Sequence, residues 1–221
     1  MHIHPDSDFS IQKKLDKRFH STSAFLYDYK TKFQIVKASK QLVKENIGKE
    51  AFNQLISLRW GNWALDGGGV KATTKLNFKI DSSATPGIKG HLNDGMKYDW
   101  SNIKTHYPWL LDINNHQNIN KKNSNILEIP IATFDFFGLT LRADPVNSVL
   151  LEKAFDYYYN HADRSERPFV FVVISHSSEA TYRNGAPTRV VKSLEEFILH
   201  TRKFNDVKFT TLKESYNLTN T

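Results

Sequence analysis

Two histidines stand two residues apart at the head of the chain, in Met1-His2-Ile3-His4-Pro5. On an extended strand residues i and i+2 project to one side, so both imidazoles could face a single divalent metal. A catalytic metal normally takes three protein ligands and keeps one position open, and nothing ahead of His2 in the sequence offers a third. The same pattern also describes a frayed, solvated terminus. His176 lies two residues beyond the apolar run 169–174, a place that combines a fixed position with solvent access and suits a general acid or base. Its alternative is a backbone cap at the end of that run. Arg59 could hold a carboxylate bidentately, and Trp63 could stack on a sugar ring or fill the core. Asp81 either orients a catalytic group or opens the turn Asp81-Ser82-Ser83 through its side chain, and Asp99 in Tyr98-Asp99-Trp100 has the same two readings. Glu128, in a strand-like run, faces either the mouth of the fold or solvent. His20, His91, His106, His116, His161 and His200 show no ligand spacing.

Composition narrows the chemistry. The 221 residues, 39% hydrophobic and 24% charged, suffice for one globular domain spanning 1–221. The absence of cysteine excludes disulfides, thiolate ligands and a cysteine nucleophile, so any metal site must draw on His, Asp or Glu. Lys and Arg total 30 against 23 acidic residues, a net charge of +7 with a pI near 9.4. That balance suits an anionic glycan, a nucleic acid or a membrane surface. The lysines are scattered, however, with only short clusters such as Lys13-Lys14 and Lys121-Lys122, so a solvated basic surface is expected and no nucleic acid. No apolar run approaches the roughly 20 residues of a membrane span, and no signal peptide follows Met1, which leads to a cytoplasmic expectation. Neither a phosphate-binding or dinucleotide-binding glycine pattern nor a Gly-x-Ser-x-Gly elbow is present.

The elements that must position these residues are read from periodicity. Apolar positions among lysines over 31–46, with Gly48 after them, predict a helix. Residues 76–80 alternate and end at Asp81 as a strand would, and 126–133 read as another. The stretch 82–125, rich in Gly, Asn, Asp, Pro and Trp, reads as a long substrate-side loop. Residues 147–159 and 194–204 predict helices, 169–174 a strand covered on both faces, and 207–209 a short final strand. Alternating helices and strands without internal repeats favour an α/β sheet or barrel of parallel units, in which function gathers at the carboxyl ends of the strands.

Taken in order, five segments resemble the polysaccharide deacetylase family, particularly a branch found in surface-polysaccharide synthesis: Met1-His2-Ile3-His4-Pro5, Leu58-Arg59-Trp60-Gly61-Asn62-Trp63, Phe78-Lys79-Ile80-Asp81-Ser82-Ser83-Ala84-Thr85-Pro86-Gly87, Leu127-Glu128-Ile129-Pro130 and Ile174-Ser175-His176-Ser177-Ser178-Glu179. The resemblance implies a distorted (β/α) barrel and a divalent metal, commonly zinc, with a carbohydrate as substrate. It implies His2 and His4 as ligands, His176 as the group that protonates the departing amine with help from Asp81 or Asp99, and Arg59 as the orienter of a catalytic carboxylate. Trp63, Trp100, Glu128 and Glu179 are the substrate-binding candidates. Members of the family carry a first strand ending in paired aspartates ahead of the histidines. No such segment stands in this sequence, so the expectation is a barrel lacking its first strand, active as a deacetylase or persisting as an inactive carbohydrate-binding form. Thr133-Phe134-Asp135 matches the aspartate motif only superficially, at the wrong place in the order.

Overall fold

The computed structural model describes residues 1–21, 24–91, 97–165 and 168–219. Its helices begin where the sequence supplies an oxygen to cap exposed backbone N–H groups. Asp8 accepts from the Ile11 amide to start α1 (Phe9–Leu15), and Asp28 accepts from Thr31 to start α2 (Tyr29–Asn46). Gly48, at φ 123°, ends the helix expected over 31–46 and leads into α3 (Lys49–Gln54), which periodicity did not announce. Asp66 accepts from the Gly69 amide at the head of α4 (Gly67–Lys75), so the three glycines open a helix here. Asn147 caps α5 (Ser148–His161), and α6 (Arg189–Thr201) and α7 (Leu212–Thr219) complete the set.

Strands β1 (His2–Ile3), β2 (Ser57–Trp60), β3 (Ile80–Asp81) and β7 (Leu127–Glu128) lie side by side and parallel, with β6 (Trp109–Leu110) antiparallel at the far edge. Two hairpins stand outside this sheet: β4 (Lys89–His91) with β5 (Lys97–Asp99), and β8 (Thr133–Phe136) with β9 (Leu139–Arg142). The register aligns Ser57 with Ile80, Leu58 with Asp81, Ile80 with Leu127 and Asp81 with Glu128. The result is a mixed α/β fold whose parallel strands all point their carboxyl ends the same way. Ile3, Leu58, Trp60 and Phe78 form the main core beneath α1, α2 and α4, while α5 and α6 pack a second, aromatic cluster around Phe155, Phe171 and Phe197.

Several expectations are corrected. The strand expected from Leu76 begins only at Ile80, because Leu76 ends α4 and Asn77 adopts a left-handed conformation at φ 61°. The stretch 82–125 is not one loop; it holds β4, β5 and β6. Thr133-Phe134-Asp135 forms hairpin strand β8, with Asp135 accepting from Thr140 across the ladder. Residues 169–174, expected as a strand covered on both faces, are half-buried and make one isolated parallel bridge, Ile131 to Val172. Phe171 and Val173 pack on the aromatic cluster and Val170 and Val172 on Ile80, Leu127 and Ile129, while the run also lines an open cavity of about 940 Å3 that it shares with Met1, His2 and Arg59. No strand pairing joins β1 to this segment among the described residues. The final strand at 207–209 is absent as well, and Phe209 is exposed.

Candidate functional site

The parallel ladder carries His2, Arg59, Asp81 and Glu128 to the carboxyl edge of four adjacent strands, and the half-strand 169–174 brings His176 to the same edge. The His2 and His4 rings meet edge-on at 4.5 Å between centroids, and His2 stacks parallel to His176 at 6.4 Å. The three imidazoles share a small cavity of about 50 Å3 with Arg59, Asn62 and Trp63. His2 and His176, 174 positions apart in sequence, therefore meet.

Close approach at this point depends on Gly61. A Cβ there would lie 2.5 Å from the His4 Nδ1 atom and 2.7 Å from the Ile3 carbonyl oxygen, and the second of these is rigid backbone. Asn62 and Trp63 follow at φ 52° and 55°, left-handed conformations that are uncommon outside glycine and concentrate at functional sites. Trp63 lines the cavity, and its ring carries the Arg142 guanidinium at 4.2 Å and has the Tyr98 ring beside it at 5.1 Å. Arg142, Tyr98 and Gly61 escaped the sequence reading. Arg142 arrives on hairpin β8–β9 with no motif of its own, whereas Gly61 lay visible inside the Trp-Gly-Asn-Trp segment.

The electrostatics follow from the neighbours. Arg59 donates from a terminal nitrogen to His2 Nδ1 at 2.9 Å, which leaves that ring nitrogen an acceptor. Burial, then Arg59 and the other imidazoles, hold the His2 pKa down at about 3, and burial lowers that of His4 as well. These imidazoles are therefore neutral near pH 7, the form a divalent metal needs. Neutral His4 suits such an ion in donor type. His2 fits only through its second ring nitrogen, since the first already accepts from Arg59. Among the described residues no third His, Asp or Glu converges with them at ligand distances.

The remaining candidates fall into place around this cluster. The His176 amide donates to a Glu179 carboxylate oxygen at 3.1 Å while the Glu179 amide donates back to the His176 carbonyl, a reciprocal cap that fixes the turn. Glu179, carried as a substrate contact, is thus a support for the His176 backbone. Trp100 is 1% exposed, and its indole N–H donates to the Trp63 carbonyl. A sealed indole has no free face for a sugar, so its part is to hold the Trp63 turn. Glu128 is sealed too, and pairs with Asp81 beneath the cavity. Asp99 sits on β5 and accepts from both the Ser101 amide and hydroxyl, the turn reading of its two.

The fold has a counterpart among solved structures. A candidate polysaccharide deacetylase from Mycobacterium smegmatis aligns over 90% of this chain with a TM-score of 0.56 at 15% sequence identity. The chain spans 59% of that protein's length. No family model matches the sequence, and no curated protein does. At this identity the likeness defines a class by its fold alone: a mixed α/β, deacetylase-like architecture with a parallel sheet.

Proposed function

We propose that this protein is a metal-dependent deacetylase acting on N-acetylated sugars of a surface polysaccharide or its precursor, built on an open form of a distorted (β/α) barrel. One observation carries the reading: His2, His4, Arg59 and His176, from three separate parts of the chain, converge on one small cavity at the carboxyl edge of the parallel strands. The likeness to the mycobacterial candidate deacetylase supports it. His4, and His2 through its free ring nitrogen, would hold a divalent ion such as zinc. When bound, that ion polarises the acetamide carbonyl and lowers the pKa of a water molecule. The chain's own residues do the rest. Trp63 offers an apolar ring face to a pyranose, and Arg142 keeps that ring in place. His176, exposed and anchored by Glu179, is placed to hand a proton to the departing amine nitrogen. Arg59 anchors the His2 ring at Nδ1.

The test is acetate release from chitooligosaccharides with zinc supplied. Wild type is expected to release acetate, and His176→Ala to release it about 100- to 10,000-fold more slowly, the usual contribution of a general acid. No release by wild type at any zinc concentration would overturn the reading. Glycan binding without hydrolysis is the second reading, favoured by the Trp63–Arg142–Tyr98 platform, whose contacts involve none of the imidazoles. It predicts chitooligosaccharide binding that is lost in Trp63→Ala, with no acetate released.

A further inference from the structure

Beneath the imidazoles lies a pair of buried acids that the proposed reaction does not use. Asp81 and Glu128 are register partners on parallel strands β3 and β7, at 1% and 0% exposure. Each satisfies one oxygen from the backbone: Asp81 Oδ1 accepts from the Ser83 amide at 2.8 Å, and Glu128 Oε1 accepts from the Ala84 amide at 2.9 Å. The other two oxygens, Asp81 Oδ2 and Glu128 Oε2, are buried and receive no N–H or hydroxyl from the rest of the protein. Their side chains leave neighbouring strands at one register position and on one face of the sheet, so the two carboxyl groups are adjacent and each keeps one oxygen without a donor. Two carboxylates accept only, so a hydrogen bond between them requires a proton, and two adjacent buried negative charges would repel each other while the nearby cations act on Asp81 alone.

We propose that Asp81 and Glu128 share one proton, held on Glu128, and that Glu128 is thereby a positioning residue that donates to the Asp81 carboxylate. The assignment of the proton follows from the surroundings. The cations that face the pair are Arg59 on β2 and the Met1 amino group on β1, and both act on Asp81. Burial and the adjacent Asp81 charge both favour the neutral form of Glu128, whose pKa is raised well above the ordinary carboxyl range. The pair thus presents a single negative charge toward Arg59, which in turn donates to His2. Glu128 also ties the loop after β3 to β7 through Ala84, and Ser83 Oγ accepts from the Trp60 amide at 3.0 Å. The acid pair therefore braces the strand ends that carry Arg59 and the Trp60–Trp63 turn.

Infrared spectroscopy of the full chain at pH 7.5, without substrate or metal, tests this independently of the deacetylase reading. Ordinary Asp and Glu side chains are ionised at that pH, so a protonated carboxyl stretch reports the pair. The expected result is one such band, sensitive to deuterium exchange, in wild type and none in Glu128→Gln or Asp81→Asn. In each variant the amide replaces the proton and the remaining carboxyl carries the charge. Absence of the band in wild type overturns the proposal. So does its survival in Asp81→Asn, which would mean that Glu128 is neutral through burial alone. Positioning is read from thermal unfolding: Glu128→Gln, which keeps a donor to Asp81, is expected to retain the wild-type midpoint, and Glu128→Ala to lower it. Equal loss in the two variants would leave Glu128 as packing only and overturn the positioning role.

Discussion

Single residues set the geometry of the imidazole cluster, and Gly61 is the sharpest case. Its missing side chain admits the His4 ring and the Ile3 carbonyl. Gly61→Ala is therefore expected to push His4 away from the cavity and to cost about 1–3 kcal/mol, the usual penalty for overpacking. Urea unfolding measures the cost, and loss of acetate release measures the displacement. A second residue controls acid tolerance. His116 lies against the Trp100 ring at 4.9 Å between centroids, and burial holds its pKa at about 4. Between about pH 4 and 6.5 the unfolded chain binds a proton there that the folded chain refuses, so stability falls as the pH drops through that window. The loss is on the order of 3 kcal/mol from this group. Asp81, raised to about 6, has the opposite slope, because the folded state keeps its proton longer than the unfolded chain does. Subtracting the pH profile of His116→Gln from that of wild type isolates the histidine. A difference curve flat from pH 4 to 6.5 would refute its role.

At the scale of elements, a buried ion pair ties together two of the helices that buttress the sheet. Lys32 on α2 is 2% exposed and pairs with Asp66, which also caps α4. α4 packs directly on α2 and leads from the Trp63 turn, so this junction anchors one wall of the site. Asp66→Ala removes the cap and leaves a buried ammonium unpaired, with an expected loss of about 3–5 kcal/mol in chemical unfolding. A loss under 1 kcal/mol would show that Lys32 finds water or another acceptor. Elements also mark how far local pattern reaches. The helix over 31–46 and the one over 147–159 were legible because apolar residues recur at helical spacing and Asp28 and Asn147 cap them. The 169–174 run misled, since an apolar sequence states only that its side chains avoid water. Phe171 and Val173 do so against α5 and α6, and the run gains a single bridge to Ile131 in place of a full ladder. Hairpin β8–β9 went unread because the expected strand stopped at Thr133 and nothing was assigned from there to the next helix; its turn is Phe137-Gly138, both residues at positive φ.

For the whole molecule, an open cleft of about 940 Å3 lies between β1 and the 169–174 segment, and among the described residues no helix is long and apolar enough to cross a membrane. Metal binding at the mouth of this cleft would couple to global stability. Zinc at 100 times its dissociation constant is expected to add about 2.7 kcal/mol to the folded state, raising the thermal midpoint by several degrees, and His4→Ala is expected to abolish the shift. An equal shift in wild type and His4→Ala would place any binding elsewhere. From sequence alone, residue types and their order determined that His2, His4, Arg59, Asp81 and His176 were the groups to watch. His2 and His4 stood out by their spacing, and Arg59, Asp81 and His176 each stood at or just beyond the end of an apolar run, positions that chain order preserves. Partnership was decided only by the tertiary structure. Parallel register set Asp81 against Glu128, the left-handed turn after Gly61 swung Trp63 onto Arg142, and the path of the chain laid His176 beside His2. Contacts between residues 47 to 174 positions apart depend on how strands pair and on what each loop can span, and no local pattern encodes either.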